Sequence, residues 1–311
     1  MTTATRQSMR MIFGDHLVRL GAAHPELVAL DADVSNSTQT ARFGAAFPDR
    51  FLNCGIAEGN MVSVAAGMAA AGLRPVVSSF AFLLATRALD QIRSQIAYSS
   101  LPVILAGGYA GLSDAADGGS HQSIADVACL SALPNMTVVC PGDAAETEAA
   151  LEAALRHDGP VYIRLSRAET GRLALPAPFQ LGKAFVRREG RDVALLATGQ
   201  MLESTLDAAG LLAEGGIQAR VVDLHTVKPL DEQAVLAAAR ECGAIVTCEE
   251  HTLIGGLGSR VASLLAERQP APMRMIGIRD VFGQSGGYDA LRKEYGLTPG
   301  DIVRAVLSFE P

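Results

Sequence analysis

One carboxylate, Glu58, stands in the otherwise small and apolar run NCGIAEGNM (53–61), and the nearly polar-free VSVAAGMAAAG follows it. A Glu in a first helical turn is stabilised by free backbone N–H groups and the helix macrodipole. The carboxyl end of a strand is also where α/β folds place ligands, so the same carboxylate could do acid–base work. Position alone leaves both readings open. The Gly-rich stretch YAGLSDAADGGSHQSIAD (109–126) carries Asp114, Asp117, Ser120, His121 and Gln122. A loop of that length after a strand is either functional or a solvated surface loop, and its glycines let backbone approach a ligand. Three more stretches place polar groups at strand ends or at the chain's start: Asp33, Ser35 and Ser37 in LDADVSNST, Arg167 in YIRLSR, and Arg6 in TRQSMR. Apart, these are solvated caps. Two Arg and a Ser converging on one crevice would hold a phosphate-like anion, because the guanidinium fork pairs with two oxygens at once.

Other candidates are weaker. TLIGGLGSR (252–260) lacks the G-x-G-x-x-G spacing of a dinucleotide turn and reads as a tight turn opening a helix. His225 and His251 have no further ligands at metal spacing and read as structural or interface histidines. The five cysteines (54, 129, 140, 242, 248) are scattered and form no C-x-x-C pair, which suits reduced thiols in a cytoplasmic protein.

The elements that must position these groups alternate in type. Short apolar runs at 27–33, 50–55, 75–80, 102–107, 136–141 and 160–167 read as strands. Ala- and Leu-rich segments near 7–22, 58–72, 84–98, 123–132 and 144–156 read as helices between them. Continuous apolar strands rather than alternating ones suit a parallel sheet covered on both faces. The stretch 168–190 has two Pro and no clear period and reads as a linker. A second β-α series follows, with strands at 193–199, 219–225, 244–250 and 273–278. The chain is therefore expected to be α/β, with two doubly wound layered domains at 1–180 and 190–311. Its 311 residues are comfortable for two domains, and 49% hydrophobic content supplies a large core. A net charge of −7 argues against a nucleic-acid partner. No apolar run reaches the length of a membrane span, and MTTATRQSMR has no leader-like apolar core.

Taken in order, these motifs resemble one family. NCGIAEGNMVSVAAGMAAAGLRPVVSSF, DGGSHQSIADVACLSALPNMTVVCPGDAAE and YIRLSR are similar to the pyrimidine-binding domain of transketolases. VALLATG, VVDLHTVKPLD and CEEHTLIGGLGS are similar to the family's carboxy-terminal domain. The resemblance implies two-carbon ketol transfer from a ketose to an aldose with thiamine diphosphate. The Glu matching Glu58 hydrogen-bonds a ring nitrogen of the cofactor's aminopyrimidine and so activates it. Phe80 and Phe82 are the candidates to stack on that ring, although the family's usual second Phe aligns with Leu83. Asp33 matches an acidic residue near the cofactor. In D-G-x-x-H-Q, His121 would contact the donor's ketol oxygens, Asp117 would read hydroxyl stereochemistry, and Gln122 would support the loop. Arg6, Ser37 and Arg167 match positions that grip the substrate's terminal phosphate.

Two departures matter. The family's G-D-G and downstream Asn, which hold the diphosphate and Mg²⁺ (or Ca²⁺), are absent here. The resemblance thus implies the second subunit of a split enzyme, needing an N-terminal diphosphate-binding partner in a heterodimer or α2β2 heterotetramer. The other departure lies in the phosphate grip. Transketolases usually carry a His twelve residues before the His121 match, where this chain has Tyr109. A phenol donates one hydrogen bond and no charge. That points to an anion site retuned for a sulfonate, a branched sugar phosphate or a less charged substrate. The alternatives are a 2-oxo acid dehydrogenase E1 β-type subunit, the matching half of deoxyxylulose-phosphate synthase, and a non-catalytic scaffold subunit.

Overall fold

The structure, a computed structural model, describes residues 6–309. Residues 1–5, the first half of the stretch without a leader-like core, and 310–311 lie outside the described residues. The strands run, in chain order, β1 (Gln7–Ser8), β2 (Leu27–Asp31), β3 (Phe51–Asn53), β4 (Arg74–Phe80), β5 (Ile104–Gly108), β6 (Thr137–Val139) and β7 (Val161–Arg164). They continue as β8 (Glu169–Thr170), β9 (Phe185–Arg188), β10 (Val193–Ala197), β11 (Ala219–Asp223), β12 (Thr226–Lys228), β13 (Ile245–Thr252) and β14 (Met273–Ile278).

β2 to β7 form a parallel sheet in the order β6-β7-β5-β4-β2-β3, which β12 extends as an antiparallel edge on β6. Strand residues alternate between the two faces. Val28 and Leu30 join one core with Met61, Leu84 and Leu105, while Leu27 and Ala29 join another with Phe13, Phe43 and Leu151. Both faces are buried, as the continuous apolar runs require, and each fully buried Leu or Val contributes about 1.5–3 kcal/mol. Helices Met9–Ala23 and Ala144–Arg156 cover one face, and Glu58–Ala70 and Ala81–Thr86 cover the other. The second sheet has the order β14-β13-β10-β11-β9, parallel except for β9. There Leu195 and Ala197 face one core and Ala194 and Leu196 the other. The α/β architecture of two layered, mostly parallel sheets is as expected.

Three details differ from the sequence reading. The stretch 168–190 holds β8, which pairs with β1, and β9, which pairs with β11. These strands are two and four residues long, too short to show a period. The helix expected at 84–98 breaks into Ala81–Thr86, Leu89–Gln91 and a π-helical segment Ile92–Ala97. β12, three residues long, leaves the second sheet's neighbourhood to pair with the first. Among the described residues no helix is long and apolar enough to cross a membrane.

A parallel sheet sends its carboxyl ends to one edge. Asp33 follows β2, Glu58 follows β3, Phe80 ends β4, Tyr109 follows β5 and Arg167 follows β7. The second domain clamps the loop between Tyr109 and Asp126. Glu250 on β13 accepts the Leu112 N–H at 2.7 Å and the Tyr288 hydroxyl at 2.5 Å. Gly111 has φ +64°, and a Cβ there would lie 2.1 Å from Glu250 Oε1, so this turn needs glycine.

Candidate active site at the carboxyl edge of the first sheet

Glu58 is the first residue of helix Glu58–Ala70 and is 1% exposed. The orphan N–H groups of that turn favour a carboxylate. Arg87 Nη1 donates to both of its oxygens, at 3.0 and 3.3 Å, from a guanidinium half exposed to solvent. The spacing of the sequence had not linked Arg87 to Glu58. Arg87 caps helix Ala81–Thr86 with its N–H on the Leu83 carbonyl, and its side chain reaches the Glu58 helix start from there.

An aromatic wall stands along the same edge. Phe80 and Phe82 have ring centroids 6.5 Å apart, and His121 lies edge-on to both, at 6.2 and 5.5 Å. Phe82 lines a cavity of about 250 Å³ with Gly119, Ser120 and Gln122. Leu83 is buried in the core face of its helix, so Phe82 rather than Leu83 meets the loop. The His121 Nδ1 and Ser120 Oγ share a hydrogen bond of 2.9 Å. Gln122 is buried and donates to the Gln284 carbonyl at 3.0 Å, which ties the loop to the second domain. Asp117 is exposed on the loop beside it.

Tyr109 connects the wall to two arginines. Its ring lies 4.6 Å from Phe80, with the guanidinium carbon of Arg167 at 5.1 Å and that of Arg10 at 5.4 Å from its centroid. Arg10 donates to the Tyr109 hydroxyl at 2.6 Å and to the Ser37 carbonyl at 3.1 Å. Arg167 donates to Asp114 at 3.1 Å. Burial, and then the nearby Asp117, raise the Asp114 pKa against the pull of Arg167. Arg10 thus links the Ser37 backbone to Tyr109, and Arg167 lies beside the same ring. Arg6 lines a crevice of about 380 Å³ with Arg167, but its guanidinium is bound by Glu203 at 2.5 Å from the second domain. Arg10 is the residue that sequence reasoning passed over. Its signal was present, as the second arginine of TRQSMR.

Asp33 sits at the exposed end of β2 with φ +65°, held by the Asn53 amide at 2.9 Å. Deeper along the seam between domains, Asp126 receives Arg164 at 2.8 Å and the Tyr162 hydroxyl at 2.7 Å. Burial opposes ionisation of Asp126, and Arg164 overrides it, leaving its pKa lowered. Burial pushes Glu249 up to about 7, although it accepts the N–H groups of Leu257 and Gly258. Burial also pushes His251 and His225 down to about 4, which keeps both neutral at neutral pH.

Residues 5–172 match the family model for the pyrimidine-binding domain of transketolase, and residues 182–302 match that for the transketolase C-terminal domain. The chain is 44% identical over 298 residues to the 6-deoxy-6-sulfo-D-fructose transketolase subunit SqwH of Clostridium sp. (strain MSTE9), covering 96% of this chain and 92% of that one. A solved structure described as a split gene transketolase, inactive beta4 tetramer, superposes with a TM-score of 0.90 at 46% identity, covering 97% of both chains. The 1-deoxy-D-xylulose-5-phosphate synthase of Desulforudis audaxviator is 38% identical, and this chain spans 49% of it. Two domain models in sequence order, with likeness running the full length of two split-subunit relatives, establish that this chain belongs to the transketolase family.

Proposed function

We propose that this chain forms the pyrimidine side of a thiamine-diphosphate site that moves a two-carbon ketol unit from an anionic ketose to an aldose. A diphosphate-binding partner subunit, holding Mg²⁺ or Ca²⁺, completes the site. The observation that carries the reading is the placement of a buried carboxylate, Glu58, and a Phe80–Phe82–His121 wall on one sheet edge. That set suits an aminopyrimidine: a carboxylate for a ring nitrogen, and aromatic faces for the ring. When bound, thiamine diphosphate supplies the carbanion stabilisation that cleavage of a ketose carbon–carbon bond needs.

The chain's own residues hold protons and orient groups. Glu58 offers a buried carboxylate to a ring nitrogen of the cofactor, and a water-poor position strengthens such a hydrogen bond. His121 stands over Phe82, within reach of a donor's oxygens, and Asp117 offers an exposed acceptor for a hydroxyl. Gln122 fixes their loop through Gln284. Asp33 remains a candidate cofactor contact, rigidified by Asn53. Arg167, Tyr109 and Ser37 stand at the head-group end, with Arg6 across the adjoining crevice. The name of the Clostridium relative supports a sulfonated ketose as donor, and the inactive beta4 relative supports the need for a different partner chain.

The test is a donor panel. The chain is combined with a diphosphate-binding partner subunit, thiamine diphosphate, Mg²⁺ and an acceptor aldose, and offered 6-deoxy-6-sulfofructose, fructose 6-phosphate, fructose and pyruvate. Aldose release from a charged ketose is expected. Consumption of pyruvate with no reaction of any ketose would assign the chain to the synthase or dehydrogenase alternative.

A further inference from the structure

We propose that Arg10 is the specificity-determining cation of the head-group end, and that with Tyr109 it selects a singly charged oxyanion over a doubly charged one. The inference rests on the transketolase reading for its location in a substrate site.

Arg10 lies in the first turn of helix Met9–Ala23, ninety-nine residues from Tyr109, yet its Nη1 reaches the phenol oxygen at 2.6 Å. The same nitrogen donates to the Ser37 carbonyl at 3.1 Å. Arg10 is therefore joined to Ser37, to Tyr109 and, through the Tyr109 ring, to Phe80. The three arginines near this end differ in their partners. Arg6 is paired with Glu203 and Arg167 with Asp114. Among the described residues Arg10 pairs with no carboxylate, and its Nε is buried without a hydrogen-bond partner. A partly buried cation lacking a counter-charge is unfavourable unless an anion arrives to meet it.

Tyr109 completes the device. Its oxygen accepts from Arg10, so its own O–H is left to donate elsewhere, and the adjacent cation strengthens that donor. The residue holds φ +60°, a region that a bulky aromatic side chain rarely adopts, and such strain concentrates where function fixes the backbone. The phenol is a hydrogen-bond donor rather than a cation. One uncompensated guanidinium and one neutral donor match an anion of charge −1, as a sulfonate carries. A phosphate monoester above its second pKa of about 6 would bring a second charge that only arginines already paired with Glu203 and Asp114 could meet.

All of these groups lie in this chain, so calorimetric titration of the full chain suffices for binding. The probes are ethanesulfonate and ethyl phosphate at pH 7.5, close in size and differing in charge. The wild-type chain is expected to favour ethanesulfonate. Arg10→Ala is expected to weaken ethanesulfonate binding about 10- to 100-fold and to erase the preference, and Arg10→Lys to retain part of both. The sulfonate-to-phosphate ratio is insensitive to a fraction of misfolded variant. The inference is overturned if the wild type binds neither probe, if it favours ethyl phosphate, or if Arg10→Ala leaves the ratio unchanged. Ketol transfer by the reconstituted complex separates the two ideas. Arg10-dependent sulfonate binding without ketol transfer sinks the transketolase reading alone. Ketol transfer whose sulfonate-to-phosphate donor ratio ignores Arg10 sinks this inference alone.

Discussion

Two arginine–carboxylate pairs in this molecule look alike in a contact map and differ in what surrounds them. Arg164 and Asp126 are both buried, and donors reach both carboxylate oxygens: Arg164 at 2.8 and 3.3 Å, and Tyr162 at 2.7 Å. The remaining Arg164 bonds go to the carbonyls of Ser123 and Glu250, one from each domain. Glu58 is as deeply buried as Asp126, but among the described residues only Arg87 donates to its side chain, from the solvent side. A carboxylate has about four lone-pair sites. The seam carboxylate is crowded with donors and the edge carboxylate is left with sites to spare. Saturation holds a loop between two domains, whereas spare capacity is what a group needs if it is to meet a ligand.

That contrast is broken most sharply at Glu58. Glu58→Ala in the reconstituted complex is expected to reduce ketol transfer by about 10²–10⁴-fold, the usual range for an acid–base group. Undiminished transfer would make this chain a scaffold and the carboxylate a helix-start residue. Next in size is Arg164→Met. Removing one partner leaves Asp126 buried in the seam without its counter-charge, with a stability loss of about 3–5 kcal/mol. Urea unfolding measures it, and Arg164→Met with Asp126→Leu should recover much of the loss. If the double variant is no better than the single, the pair's charge is not what holds the seam.

The layers were legible in the sequence because buried parallel strands are written as unbroken apolar runs. Glu58 and Arg167 drew notice for a related reason: they follow or end those runs, and a parallel sheet collects such positions on one edge, whereas Phe80, Phe82 and Tyr109 were marked by the family resemblance alone. Arg10 and Arg87 were not legible, because one acts from a helix and the other from the turn after one, each across a chain separation that no local period encodes. Glu249 and Glu250 lie in the strand expected at 244–250, and the sequence reading assigned them no role. Both are buried, one capping helix Leu257–Arg268 and the other clamping Leu112. Two adjacent acids in a strand point to opposite faces, so one of them had to find partners inside the fold. β9 and β12 failed for want of length alone.

The smallest expected effect tests the same comparison from the arginine side. Arg87 is half exposed, and an ion pair with one exposed member is weakened by solvent screening and by the entropy of a long side chain. Arg87→Ala is therefore expected to lower the stability of the isolated chain by no more than about 1 kcal/mol, several-fold less than Arg164→Met. The same urea experiment reads both. If Arg87→Ala costs as much as Arg164→Met, then Glu58 depends on its guanidinium as Asp126 does, and the edge carboxylate is a second structural clamp. If the cost is small, the pair is a loose one that a ring nitrogen can replace without unsettling the fold.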